Sequence, residues 1–192
     1  MNLSNYDVEI AEATKNLGPE DLTLYAQSEA ILDRMIELKG LSSEPDALAR
    51  ISSGTLSLTK ECVPVLESIG RSVGTTHDLY KLQTRKLFNI VINSSAHWSK
   101  LWMMGVKTNS NSVSDKDTNA QTHAYQLCMK EMCRLKFYGA DKEEFDKKYN
   151  GMVGTSPTPT SSGGCLSAIL LFLVGTASII GLTYFGFGYF LT

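Results

Sequence analysis

Apolar residues recur at helical spacing along most of the chain as far as about residue 149, and no stretch shows the sustained apolar–polar alternation of a strand. The pattern predicts an all-α protein. The first clear helix runs from about Pro19 to Leu38, where Leu22, Tyr25, Leu32 and Ile36 form a stripe that only Glu29 interrupts. Pro19, Glu20 and Asp21 suit its start and Gly40 its end. Ser43-Glu44-Pro45-Asp46 reads as a second start, leading into a helix with Leu48 and Ile51 that weakens at Ser52-Ser53-Gly54. A further run from Leu56 to Ile69 is predicted to break or kink at Pro64, with Gly70 and Gly74 as punctuation.

A helix from about Asp78 to Ile92 follows, carrying Leu79, Leu82, Leu87, Ile90 and Val91. Asn93-Ser94-Ser95 then reads as the cap of a separate helix. In that helix Trp98, Leu101, Trp102 and Gly105 fall at i, i+3, i+4 and i+7. This is the most apolar stretch before the C-terminal tail, so it is expected at the centre of the bundle, with both tryptophans in the core. Residues 108–122, TNSNSVSDKDTNAQT, are almost wholly polar and read as a loop. The last predicted helices are about His123 to Phe137 and a short one from Asp141 to Tyr149.

The pattern then changes character twice. Residues 150–164, NGMVGTSPTPTSSGG, combine prolines, glycines and hydroxyls as a flexible tether does. Residues 165–192 contain no charged residue and exceed the roughly 20 needed to cross a hydrocarbon core. They are expected to form one transmembrane helix, with Tyr184 and Tyr189 at the far interface. Three segments are therefore expected: a helical domain over 1–149, a linker over 150–164 and an anchor over 165–192.

The N-terminus lacks the basic and apolar regions of a signal peptide, so the helical domain is expected on the cytosolic side, with the anchor inserted after synthesis. On that side the formal glycosylation sequon at Asn93 has no meaning. Eighteen Lys and Arg against 20 Asp and Glu give a net charge of -2, which does not suit nucleic-acid binding. Four scattered cysteines, 62, 128, 133 and 165, show no metal-finger or redox spacing and read as buried thiols, with Cys165 placed for palmitoylation. Asp115, Asp117 and Asn119 start like a calcium loop, but Ala120 replaces the turn glycine and Gln126 the closing glutamate. His77, His97 and His123 have no metal-ligand spacing, and nucleotide-loop and nucleophile-elbow motifs are absent. The chain reads as an interaction protein with no cofactor, metal or catalytic residue.

Three stretches resemble the homology motifs of the Bcl-2 family of apoptosis regulators. Leu48-Ala49-Arg50-Ile51-Ser52-Ser53-Gly54 resembles the third motif. Residues 88–100, FNIVINSSAHWSK, resemble the first, keeping Trp98 but placing His97, Ser99 and Lys100 where the family has Asn, Gly and Arg. Residues 138–151 resemble the end of the second, although its tryptophan is missing. Ser53 also replaces the usual aspartate of the third motif. This degree of divergence resembles a viral homologue.

The resemblance implies a Bcl-2-like helical bundle around a central hydrophobic helix, with a C-terminal transmembrane helix. It implies a surface groove that sequesters the amphipathic BH3 helix of pro-apoptotic Bcl-2 family partners. The groove residues would be Leu48, Ile51, Val63, Leu66, Phe88, Val91, His97, Trp98, Lys100 and Leu101, with Lys100 meeting the partner's aspartate. On this reading Lys100→Glu abolishes binding while leaving helicity intact. The mitochondrial outer membrane is the expected address and the endoplasmic reticulum the alternative. A pro-apoptotic, membrane-permeabilising effector is the other function the resemblance admits; the polar run at 108–122 argues against it. Small residues around Gly54 permit close helix packing, which leaves a homodimer open.

Overall fold

A computed structural model describes residues 3–43, 47–108 and 115–153. Among these, six α-helices and one 3-10 segment are present and no strand: α1 Leu3–Thr14, α2 Pro19–Glu37, the 3-10 segment Leu38–Ser43, α3 Ala47–Ser72, α4 Asp78–Thr108, α5 Asp115–Met132 and α6 Gly139–Val153. The chain divides into two units, Met1–Tyr149 and Asn150–Thr192. The expected anchor at 165–192 and all but the first four residues of the expected linker lie outside the described residues. Among the described residues no helix is long and apolar enough to cross a membrane.

The centre of the first unit is α3. It packs against α2, α4, α5 and the 3-10 segment, and its sequence explains why. Ala47, Ile51, Ser52, Thr55, Leu58, Thr59, Cys62, Val63, Leu66 and Ile69 are all buried, a continuous stripe broad enough for several neighbours. Three features that suggested interruption are absorbed. The Ser52 and Ser53 hydroxyls donate back to the carbonyls of Leu48 (2.9 Å) and Ala49 (2.8 Å), one turn earlier, rather than ending the helix. Gly54 lies close beneath Leu38 of the 3-10 segment. Pro64 is exposed, so the carbonyl it leaves without an amide partner falls on the solvent side of the helix.

Elsewhere the helices run longer than their sequence signals suggest. Asn93-Ser94-Ser95 does not cap a new helix: α4 passes straight through it, with Ser94 buried. The segment expected at the bundle centre is thus the second half of α4, and the central position belongs to α3. Residues 115–122, expected as loop, are the first turns of α5. That helix buries Gln121, Ala124, Tyr125, Cys128, Met129 and Met132, a stripe at i, i+3, i+4, i+7, i+8 and i+11. Its exposed face carries the polarity that disguised it. The N-terminal helix α1 was not among the expected elements, although Leu3, Tyr6 and Ile10 recur at helical spacing; Tyr6 and Ile10 are its buried side chains among residues 6–14.

Candidate partner-helix surface

The ten residues expected to line a groove divide into three groups. Ile51, Val63, Leu66 and Val91 have no exposed surface, and Phe88 is 1% exposed. These five are interior side chains that pack helix against helix, not the floor of an open groove in this conformation. Leu48 and His97 are half-buried and Lys100 is exposed, on α3 and α4 respectively. The side chains of Trp98 and Leu101 lie outside the described set, although their backbone belongs to α4. Ile51, Val63 and Leu66 are buried because α3 is one unbroken helix: its stripe continues past Pro64, and covering it requires α4 and α5 together.

The stretch from Phe137 to Phe145 closes over Phe88. Phe88 packs its ring against Phe137 (centroids 5.7 Å apart) and edge-on against Phe145 of α6 (5.7 Å). Phe137 and Phe145 stack at 4.4 Å, and Tyr149 extends the stack from Phe145 at 6.0 Å. One turn before Phe88, Arg85 Nε donates to Asp141 Oδ2 at 2.6 Å, with Asp141 side chain 23% exposed. The connection leading into α6 is pinned as well. Arg134 holds Glu67 of α3 with two parallel bonds, Nε–Oε1 3.1 Å and Nη2–Oε2 2.6 Å. The Lys136 amide donates to the Tyr80 hydroxyl at 2.8 Å, and the Tyr138 hydroxyl donates to Thr75 Oγ1 at 2.8 Å. Burial raises the Tyr80 hydroxyl above the ordinary tyrosine range, so it remains a neutral acceptor for that amide.

A second polar cluster joins α1, α2 and α4 on another side of the bundle. The Tyr6 hydroxyl donates to Glu29 Oε1 (3.3 Å) and accepts from Gln83 Nε2 (3.2 Å), which also donates to Glu29 Oε1 (2.7 Å). Lys86 completes it, donating to Glu29 Oε2 at 2.5 Å with its ammonium 5.3 Å from the centre of the Tyr6 ring. Glu29, the break in the apolar stripe of α2, is the acceptor around which this cluster forms. Burial first, then the charge of Glu29, drives Tyr6 far above the usual tyrosine range. Every member is satisfied, which suits a structural fastener for α1.

The described residues contain no group of three His, Cys, Asp or Glu that could hold a metal. Burial pushes the Cys62 thiol up to about 12 and that of Cys128 to about 11, so neither supplies a thiolate nucleophile near neutrality. The described residues form clefts open to solvent. One of about 560 Å3 separates α1 from the start of α4 and is lined by charges of both signs, among them Glu9, Glu12, His77 and Lys81. Another, about 410 Å3, lies beside Leu38, Leu41, Gly54 and Leu58. Neither includes any of the ten expected groove residues. Sequence reasoning did not single out Arg85, Asp141, Phe137 or Tyr6. The available signals were short: Arg85 three positions before Phe88, and Asp141 four before Phe145, spacings that place each pair on one helix face.

Compared with known proteins, the chain matches no family model, no curated protein and no solved structure.

Proposed function

We propose that this chain is an anti-apoptotic, Bcl-2-like protein that captures the amphipathic helix of pro-apoptotic partners while tethered to a membrane by its C-terminal tail. The observation that carries the reading is where the three resembling stretches fall. They lie in an all-helical chain on α3, α4 and α6; α3 packs on α4, and α6 reaches α4 through Phe88. Bundles of this type bind helices by offering apolar anchor sites between their own helices, with a charge to set register. The charge-free sequence of residues 165–192 supports the tether. The mitochondrial outer membrane is the proposed site of action, with the endoplasmic reticulum as the alternative.

No residue is proposed to carry bond-making chemistry. Capture is by differential contact: apolar side chains of the partner leave water, and its acid pairs with a basic group on the bundle. The closed state of Phe88 sets a condition on this mechanism. A partner helix reaches that position only when the segment covering it moves, so apparent affinity is reduced by the fraction of time the face is open.

Expression of the full chain in cells given a death stimulus tests the proposal. Survival is the expected result. Raised killing would select the effector reading, in which the chain permeabilises membranes.

A further inference from the structure

We infer that His77 is a proton-operated switch at the start of α4: uncharged, its ring caps that helix; protonated, it releases the cap and turns to the acids of α1. The cap is built from the turn between α3 and α4. Gly74, at φ +91°, reverses the chain, and the His77 amide donates to the Gly74 carbonyl at 3.1 Å. The His77 carbonyl accepts the amide of Lys81 at 3.2 Å, as the residue flanking a helix start does. Its side chain then serves a donor that the helix leaves open: the Leu79 amide donates to His77 Nδ1 at 3.2 Å. Leu79 has no exposed surface, so water does not take the place of the ring at that amide. Asp78 is no substitute, since its Oδ1 accepts from Lys81 at 3.0 Å and its side chain is 77% exposed.

Nδ1 accepts a hydrogen bond only while it carries no proton. A histidine changes charge between about pH 5 and 8. The cap is therefore complete at the upper end of that range and is lost as pH falls through it. Protonation also sets a positive charge on the positive end of the α4 dipole, a second reason for the ring to leave.

The ring lines the cleft of about 560 Å3 between α1 and α4, and that cleft decides where the imidazolium goes. Glu9 and Glu12 line it from α1, and Asp78, Lys81 and Arg85 from α4. Tyr138 reaches the same turn through its hydroxyl, which donates to Thr75. Lys81 and Arg85 already hold Asp78 and Asp141, which offsets their repulsion of a new cation. Glu9 and Glu12 are exposed, and Glu12 is paired only loosely, with Lys15 at 3.9 Å. Tyr6 fastens the first half of α1 to Glu29 and Gln83. A protonated His77 adds a hold on the second half, so acidification loosens the first turn of α4 while drawing α1 against it. The change is one of partner, not of fold, and it stands apart from the capture reading.

The test uses the full chain in detergent, isotope-labelled for NMR, at the two ends of the histidine range, about pH 5.5 and about pH 7.5. At the lower pH the Leu79 amide is expected to exchange about fivefold faster, relative to its intrinsic rate, than at the higher. The His77 ring protons are expected to show contacts with Glu9 or Glu12 at the lower pH alone. His77→Asn supplies a cap that does not titrate, so protection of Leu79 is expected to be the same at both pH values. Replacing both acids, Glu9→Gln with Glu12→Gln, is expected to remove the ring contacts. Equal protection of Leu79 at both pH values in the unaltered chain overturns the inference. An equal fall in the His77→Asn chain overturns it as well, because the titrating group then lies elsewhere. So does a ring that makes no contact with α1 at the lower pH, or one whose contacts survive loss of both acids.

Discussion

Two glycines inside α3 are expected to respond to substitution very differently. A Cβ at Gly70 would lie 2.7 Å from Tyr80 Cε2 and 3.0 Å from Cδ2. That ring is 2% exposed and its hydroxyl is tied to the Lys136 amide, so it has nowhere to retreat. Gly70→Ala is expected to cost about 1–3 kcal/mol by overpacking. A Cβ at Gly54 would meet the terminal methyls of Leu38 at 3.0 Å, on a flexible, half-buried side chain that can turn aside. There the gain of about 0.5–1 kcal/mol from replacing a helical glycine offsets the crowding, and Gly54→Ala is expected to be near neutral. Urea midpoints of the two variants check the contrast. Gly70→Ala is also expected to loosen the connection before α6, since Tyr80 is one of its fasteners.

At the scale of elements, α3 is the informative case. Pro64 removes one helix hydrogen bond yet the helix runs on, because the residue faces solvent and both flanking turns are buried against α2, α4 and α5. Pro64→Ala restores that bond and removes the ring's clash with the preceding turn. It is expected to raise unfolding stability by about 1–3 kcal/mol without altering the fold, read as an increase in urea midpoint at constant slope. How much of each element was legible follows the same logic. The helices from Pro19 and Asp78 begin where their starts are written, in Pro19-Glu20-Asp21 and in Asp78, because those signals are local. Continuity of α3 and α4 was not legible: Ser52, Ser53, Gly54 and Asn93 are weak helix formers, and tertiary packing overrides such preferences. The first turns of α5 were hidden by their polarity, whereas α1 was legible in Leu3, Tyr6 and Ile10 at i, i+3 and i+7 and was passed over. At the candidate site, Phe88 and the Phe145 helix were visible as motifs. Their mutual burial was not, because it depends on a contact between residues 57 positions apart.

For the whole molecule, two cysteines give the interior a pH signature. Burial raises the thiols of Cys62 and Cys128 from the ordinary value of 9.0 to about 12 and about 11. The folded chain therefore keeps protons that the unfolded chain releases above pH 9. The contribution to stability is fully present below pH 9 and is lost as pH rises through about 11 to 12. Cys62→Ala is expected to lower stability at neutral pH by leaving a small cavity, yet to flatten the alkaline decline. Thermal unfolding at a series of pH values reads both effects, and an unchanged alkaline slope would contradict the burial of the thiol.

Capture of pro-apoptotic helices by the bundle is the claim on which the functional account stands. Its most direct test is calorimetric titration of the full chain with synthetic peptides of those helices, alongside a Lys100→Glu chain. The account predicts saturable one-to-one binding, lost in Lys100→Glu, with helicity by circular dichroism the same in both chains. Absence of binding across the whole set of peptides, by a chain that is fully helical, would contradict it.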